Sequence, residues 1–80
     1  MNDDPIKVFG QVVREARKQR SMSQEELAFE SDLDRTFISH VETGRKQPSL
    51  STIISLARAL NEMPSVLLRR VEERLRRDSL

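Results

Sequence analysis

The chain of 80 residues contains no cysteine, tryptophan or tyrosine, only two glycines and three prolines. Without cysteine there is neither a disulfide framework nor a thiolate zinc site, and a reducing cytoplasm is the expected compartment. No apolar run approaches the roughly 20 residues that a membrane-spanning helix needs, and no secretory signal peptide is visible. These absences argue against a disulfide scaffold and against a membrane partner.

The sequence offers little basis for catalysis. A single histidine, no cysteine and no glycine-rich phosphate loop leave no nucleophile–base pair. We therefore expect no enzyme, no cofactor and no metal site. Eighty residues allow one domain with one modest core, which we place at 1–80 with the core at about 5–68 and no separate effector domain.

Helical patterns fill most of the chain, and charged residues make up 34% of it. Asp4 and Pro5 suit an N-cap and a first helical position, so the first helix should begin there and end near Arg20. Further helices are expected after Ser49, with Asn61 as a left-handed stop, and from Pro64 to about residue 77. With scarce glycine and proline, the pattern predicts an all-α fold.

The stretch from Ser23 to Glu42 predicts two short helices joined by a tight turn. Ser23 and Glu26 form a capping-box pattern, and Asp34 is a second start signal. Gly44 ends the second helix. Since only two residues remain for the turn, the helices must cross steeply, which is the geometry of a helix-turn-helix.

The residues of this stretch resemble a known family. S-Q-E-E-L-A, a turn, and then R-T-F-I-S-H-V-E-T-G-R-K-Q-P-S-L resemble the lambda-repressor/Cro (XRE) type of helix-turn-helix domain, over roughly 9–68. Within that family, L-D-R-T-F-I-S is similar to the controller proteins of restriction-modification systems. The resemblance implies a five-helix fold with the motif at helices 2 and 3, and a homodimeric transcription regulator. The recognition helix, at about 34–43, would lie in the major groove of an operator with two half-sites.

The resemblance also implies which side chains contact DNA. Arg35 and Thr36 take the first exposed positions of the recognition helix, where bases are read, since arginine can bind guanine and threonine either base edge. Gln24 would bind a backbone phosphate and support the recognition helix. Phe37 would touch the sugar-phosphate backbone of the DNA or cover the edge of the protein core. For His40 the alternatives are a DNA contact and a solvated side chain. The full candidate set is Ser23, Gln24, Asp34, Arg35, Thr36, Phe37, Ser39, His40, Arg45, Lys46 and Gln47.

Three structural features are expected around this motif. The resemblance implies a partly buried ion pair between Arg17 and Glu42. It also implies left-handed backbone at Asp32, a position where the family commonly has glycine. Gly10 lies inside the first helix, which indicates either a close approach of a neighbouring helix or a tolerated exposed glycine.

The last helix carries an apolar stripe of Leu67, Val71 and Leu75. We expect these side chains to be exposed on an isolated chain and covered by a two-fold partner, because closed two-fold dimers are the commonest oligomers. Packing back on the first helix and a frayed amphipathic tail are the alternatives.

The distribution of charge along the chain is also compatible with other functions. Residues 23–34 contain five acidic side chains and no Lys or Arg, whereas each flanking segment is net positive. This distribution also suits a protein-interaction module that kept the fold but not DNA binding. A prophage repressor and an antitoxin of a toxin-antitoxin pair are further alternatives. We expect a cytoplasmic protein, associated with the nucleoid when bound, that blocks or contacts RNA polymerase.

Overall fold

The computed structural model describes residues 4–79, with side chains described through residue 76. Within this range the chain forms five α-helices and no strand, so the all-α prediction is confirmed. None of these helices is both long enough and apolar enough to cross a bilayer. The helices are α1 (Pro5–Gln19), α2 (Gln24–Ser31), α3 (Arg35–Glu42), α4 (Leu50–Ala59) and α5 (Pro64–Ser79).

Side chains cap the starts of three helices. The side-chain oxygens of Asp4, Ser23 and Ser49 each accept an amide N–H of the following turn, at 2.9 to 3.2 Å. Glu26 completes the capping box by accepting the Ser23 amide at 2.8 Å. Asp34 stands at the N-cap of α3, as predicted, but its carboxylate accepts no capping bond.

The connections use left-handed backbone at single residues. Asp32 has φ 58° and Asn61 φ 54°, both at the positions predicted for left-handed turns, and Gly44 has φ 78°. Asparagine and aspartate tolerate this region better than most residues. Ser21, with φ 57°, is a fourth case that no residue pattern predicted.

The core lies between all five helices. α1 packs against both α3 and α5, and α2 packs against α3 and α4. Burial of these apolar faces is the main driving force for the fold. The buried apolar side chains are Val8, Phe9, Val12, Val13, Ala16, Leu27, Ala28, Ile38, Val41, Leu56, Ala57, Leu60, Leu67 and Val71.

The apolar stripe of α5 differs from the sequence-based expectation. Leu67 is fully buried and Val71 is 8% exposed, because α5 folds back on α1 and places both in the core of one protomer. Leu75 is half-buried and packs against the same core. The expectation that Leu67 and Val71 are exposed is therefore wrong, and the large exposed apolar side chain of α5 is Leu68, at 44%.

Candidate nucleic-acid interface

The two faces of α3 have opposite environments. Ile38 and Val41 are buried in the core, with 0% and 1% of their surface exposed. Arg35 and Thr36 are exposed at the first turn on the other side. A helix with one apolar stripe naturally leaves its polar side outward. The first turn of α3 thus presents a guanidinium and a hydroxyl to solvent.

The next candidate residues on α3 are less open. Ser39 and His40 are half-buried. Phe37 is also half-buried and packs against the hydrophobic core, so it covers the core edge, one of the two roles considered for it. These side chains therefore form the border of the exposed face of α3.

The C-terminal end of α3 is fixed by a buried ion pair. Arg17 Nε donates to Glu42 Oε2 at 2.7 Å and Arg17 Nη2 donates to Glu42 Oε1 at 3.0 Å. The two side chains are only 10% and 2% exposed. A third donor of Arg17, Nη1, reaches the Met22 carbonyl at 2.8 Å. The pair implied by the resemblance is present, and its forked geometry ties α1 to the last residue of α3.

Gln24 joins the same cluster. Its Nε2 donates to Glu42 Oε1 at 3.1 Å, so that one oxygen accepts from both Gln24 and Arg17. The first residue of α2 is thereby tied to the last residue of α3. The resemblance implied that this glutamine braces α3, but no residue pattern identified Glu42 as its partner, because residues 18 apart in sequence leave no periodic signal.

Gly10 lets α1 lie directly on the last turn of α3. A Cβ at this position would stand 2.8 Å from the Glu42 carbonyl oxygen and nearer still to that of Val41. Real Cβ atoms do not approach backbone oxygens so closely, so a larger residue would push the helices apart. Of the two explanations considered for this glycine, the close approach is the one observed.

The loop after α3 folds back on the helix and presents cations. The amides of Arg45 and Lys46 donate to the His40 carbonyl at 2.8 and 3.3 Å. The side chains of Arg45, Lys46 and Gln47 are exposed. The backbone bonds fix the place of the two cations beside α3, as a contact to a phosphate strand requires.

Three exposed cations at α3 and its following loop take part in no ion pair within residues 4–76. Among the side chains described, the ion pairs join Arg17 to Glu42, Arg70 to Glu62 and Arg74 to Glu15. Arg35, Arg45 and Lys46 take part in none of them. Glu25 and Glu26 lie in the first turn of α2, where the helix dipole favours negative charge, whereas the exposed Glu30 lies near its C-terminal end.

Ser23 is the N-cap of α2 and directly precedes Gln24. It is exposed, but its hydroxyl and amide are already used by the capping box. The free carboxylate of Asp34 precedes Arg35. The eleven candidate residues thus fall on three neighbouring segments: the start of α2, α3 with its N-cap, and the loop that follows α3.

Sequence comparison identifies the family. The model of a helix-turn-helix family matches residues 13–67, which includes the whole of α2, α3 and α4. The chain belongs to this helix-turn-helix family of DNA-binding transcription regulators.

Individual relatives narrow the resemblance to controller proteins. The chain is 50% identical over 62 residues to the control protein C.BamHI of Bacillus amyloliquefaciens, which covers 76% of each chain. The crystal structure of the restriction-modification controller protein C.AhdI from Aeromonas hydrophila superposes with a TM-score of 0.76 at 45% identity, over 78% of this chain and 94% of that one. The fold also matches the controller C.Esp1396I, solved as a tetramer with its natural 35 base-pair operator, with a TM-score of 0.82 over 89% and 93% of the chains at 24% identity.

Proposed function

We propose that this chain controls transcription in a restriction-modification system by binding a DNA operator as a homodimer. Arg35 and Thr36 are exposed at the start of α3, and the buried Arg17–Glu42 ion pair fixes the other end of the same helix. This observation carries the proposal. The identity of half the aligned residues to C.BamHI supports the controller assignment.

Base recognition would come from the first turn of α3. The guanidinium of Arg35 can donate two parallel bonds to O6 and N7 of guanine, and Thr36 can bond a base edge or touch a thymine methyl. Ser39 and His40, further along α3, are placed for a contact at the border of the groove. A good bidentate pair discriminates against the wrong base by about 1–3 kcal/mol.

Docking would depend on phosphate contacts at both ends of the motif. Arg45, Lys46 and Gln47 are exposed in the loop after α3. Gln24 lies at the start of α2, and its amide donates one of its two N–H groups to Glu42, leaving the other for a phosphate. Such contacts set the register of α3 in the groove without reading sequence.

A two-fold dimer would use the outer face of α5. A groove there is lined by Ser65, Leu68, Arg69, Val71, Glu72, Leu75 and Arg76. Leu68 supplies exposed apolar surface, and arginine and glutamate line the same groove. Across a two-fold axis a contact between two different residues forms twice, once in each direction, so a groove that carries both arginine and glutamate can pair them with those of a second copy. The two recognition helices would then meet half-sites about 34 Å apart.

The dimer is tested by placing a charge in this groove. Leu68→Glu should convert the dimer to a monomer and weaken operator binding while far-ultraviolet circular dichroism stays unchanged, because Leu68 is already 44% exposed. Sedimentation equilibrium measures the change. The matched control is Phe29→Glu on α2, which is 83% exposed and lies outside the groove, and which should leave the dimer intact.

Regulation would follow from protein concentration. Binding across a promoter blocks RNA polymerase, and binding beside one brings the protein against it. We expect the operator to lie in the chain's own upstream DNA, so that the protein regulates its own synthesis in the cytoplasm, where the DNA lies.

The test of function is a duplex-binding titration with the chain's own upstream DNA and a random duplex, at two salt concentrations. Arg35→Ala should reduce the preference for the upstream DNA by about 1–3 kcal/mol for each half-site. Arg58→Ala removes an exposed cation of α4, one of the elements outside the candidate interface, and should leave the preference unchanged. Absence of binding to either duplex at low salt, where phosphate contacts alone suffice, would overturn the proposal.

A further inference from the structure

Lys7 of α1 lies against the first residue of the loop that follows α3. A Cβ built on Gly44 would stand 3.1 Å from Lys7 Cα and 3.2 Å from Lys7 Cβ, with Lys7 Cγ nearer still. The stem of the lysine therefore passes directly over Gly44. This contact needs a residue without a side chain, and the φ of 78° at Gly44 favours glycine for the same position.

The contact brings a third cation to the end of α3. Gly44 immediately precedes Arg45 and Lys46 in the chain, and all three cationic side chains are exposed. None of the three belongs to the ion pairs among the described side chains. Glu42, the acidic residue nearest in sequence to the loop, is buried and bound to Arg17. Glu42 therefore does not pair with any of these three cations.

The stem of Lys7 is held while its ammonium group remains free to reach. A lysine has a flexible four-carbon stem and acts on phosphate as a point charge. With α3 in the major groove, the loop at its end meets the phosphate strand that borders the groove. A cation whose stem rests on that loop lies on the same side.

We propose that Lys7 is a DNA-backbone contact of the interface, forming a three-cation clamp with Arg45 and Lys46 on one phosphate strand. The proposal rests on the proposed DNA-binding function. It extends the interface beyond the helix-turn-helix and its following loop to α1. The contact positions the protein and carries no base preference.

The experiment measures how the association constant for DNA depends on salt. Each phosphate contact contributes about 0.9 to the slope of log K against log salt concentration. Because a bound homodimer carries two copies of Lys7, we expect Lys7→Gln to reduce the slope by about 1.8, so that raising salt from about 50 to 200 mM weakens the variant about twelvefold less than the wild type. The reduction should be the same for the upstream DNA and for a random duplex.

Three further variants make the result specific. Lys7→Arg keeps the charge and should retain the wild-type slope. Arg45→Gln removes a neighbouring cation of the clamp and should reduce the slope as Lys7→Gln does. Arg58→Gln removes an exposed cation on α4 and should not change it.

A slope for Lys7→Gln equal to that of wild type and of Arg58→Gln would overturn the clamp, whatever Arg45→Gln does. Equal affinity of the wild type for both duplexes would instead contradict the proposed regulatory function. The salt dependence of binding to the random duplex would still test the role of Lys7. A reduced slope on that duplex supports the clamp even then.

Discussion

The two ends of α3 are built in opposite ways. At the N-terminal end, the side chains of Asp34, Arg35 and Thr36 are exposed, and Asp34 does not even cap its own helix. At the C-terminal end, the Glu42 carboxylate accepts three hydrogen bonds and is almost completely buried. One end is free to bind and the other is fixed, so substitutions at the two ends should separate binding from stability.

The largest effect is expected from Glu42→Ala. Removing this carboxylate leaves the Arg17 guanidinium buried without its charge partner, which typically destabilises a protein by about 3–5 kcal/mol. In a domain of this size, about 1 kcal/mol shifts the melting temperature by roughly 4–8 °C. Thermal unfolding followed by circular dichroism should therefore show a loss of more than about 12 °C.

The control for this substitution is Glu30→Ala, which removes an exposed carboxylate on α2. Its free energy of unfolding should stay within about 0.5 kcal/mol of wild type. Similar melting temperatures for Glu42→Ala and Glu30→Ala would mean that the buried pair does not support α3.

A smaller loss is expected from Gly10→Ala. The added methyl would meet the Val41 and Glu42 carbonyl oxygens, so α1 and α3 must separate. We expect a loss of about 1–3 kcal/mol in urea unfolding, the usual result of overpacking, although alanine is the better helix former. Gln11→Ala, at the exposed neighbouring position, should leave stability nearly unchanged. Equal stability of the two variants would contradict the close contact.

The smallest effects are expected at the N-caps of α2 and α3. Ser23→Ala removes the capping box of α2 and should lower the free energy of unfolding by about 1 kcal/mol. Asp34→Ala removes a carboxylate that makes no capping bond, and should change it by less than about 0.5 kcal/mol. Urea titration of both variants checks this, and a larger loss for Asp34→Ala would show that its carboxylate does stabilise α3.

Local signals predicted the helices and several turns well. Asp4 with Pro5, the Ser23 capping box and Ser49 mark helix starts by short-range hydrogen bonding, which depends only on neighbouring residues. The left-handed turn at Asn61 follows from the same kind of local chemistry. Ser21 is the exception, since serine has no marked preference for that conformation.

Contacts between distant segments could not be predicted in the same way. The periodicity of α5 indicated that Leu67 would be covered, but a helical stripe does not specify which neighbour covers it, and α1 of the same chain does. The bond from Gln24 to Glu42 and the passage of Lys7 over Gly44 likewise depend on how helices cross. The ion pair of Arg17 was expected only through the family resemblance.

The fixed end of α3 has a consequence for the thermodynamics of association. Glu42 and Gly10 fix the position of α3 against α1 in the DNA-free protein. We therefore expect α3 to dock on DNA as a preformed helix, without folding of that helix on the DNA. Isothermal titration calorimetry should accordingly give a heat-capacity change that matches the contact area alone, smaller than the change that accompanies coupled folding.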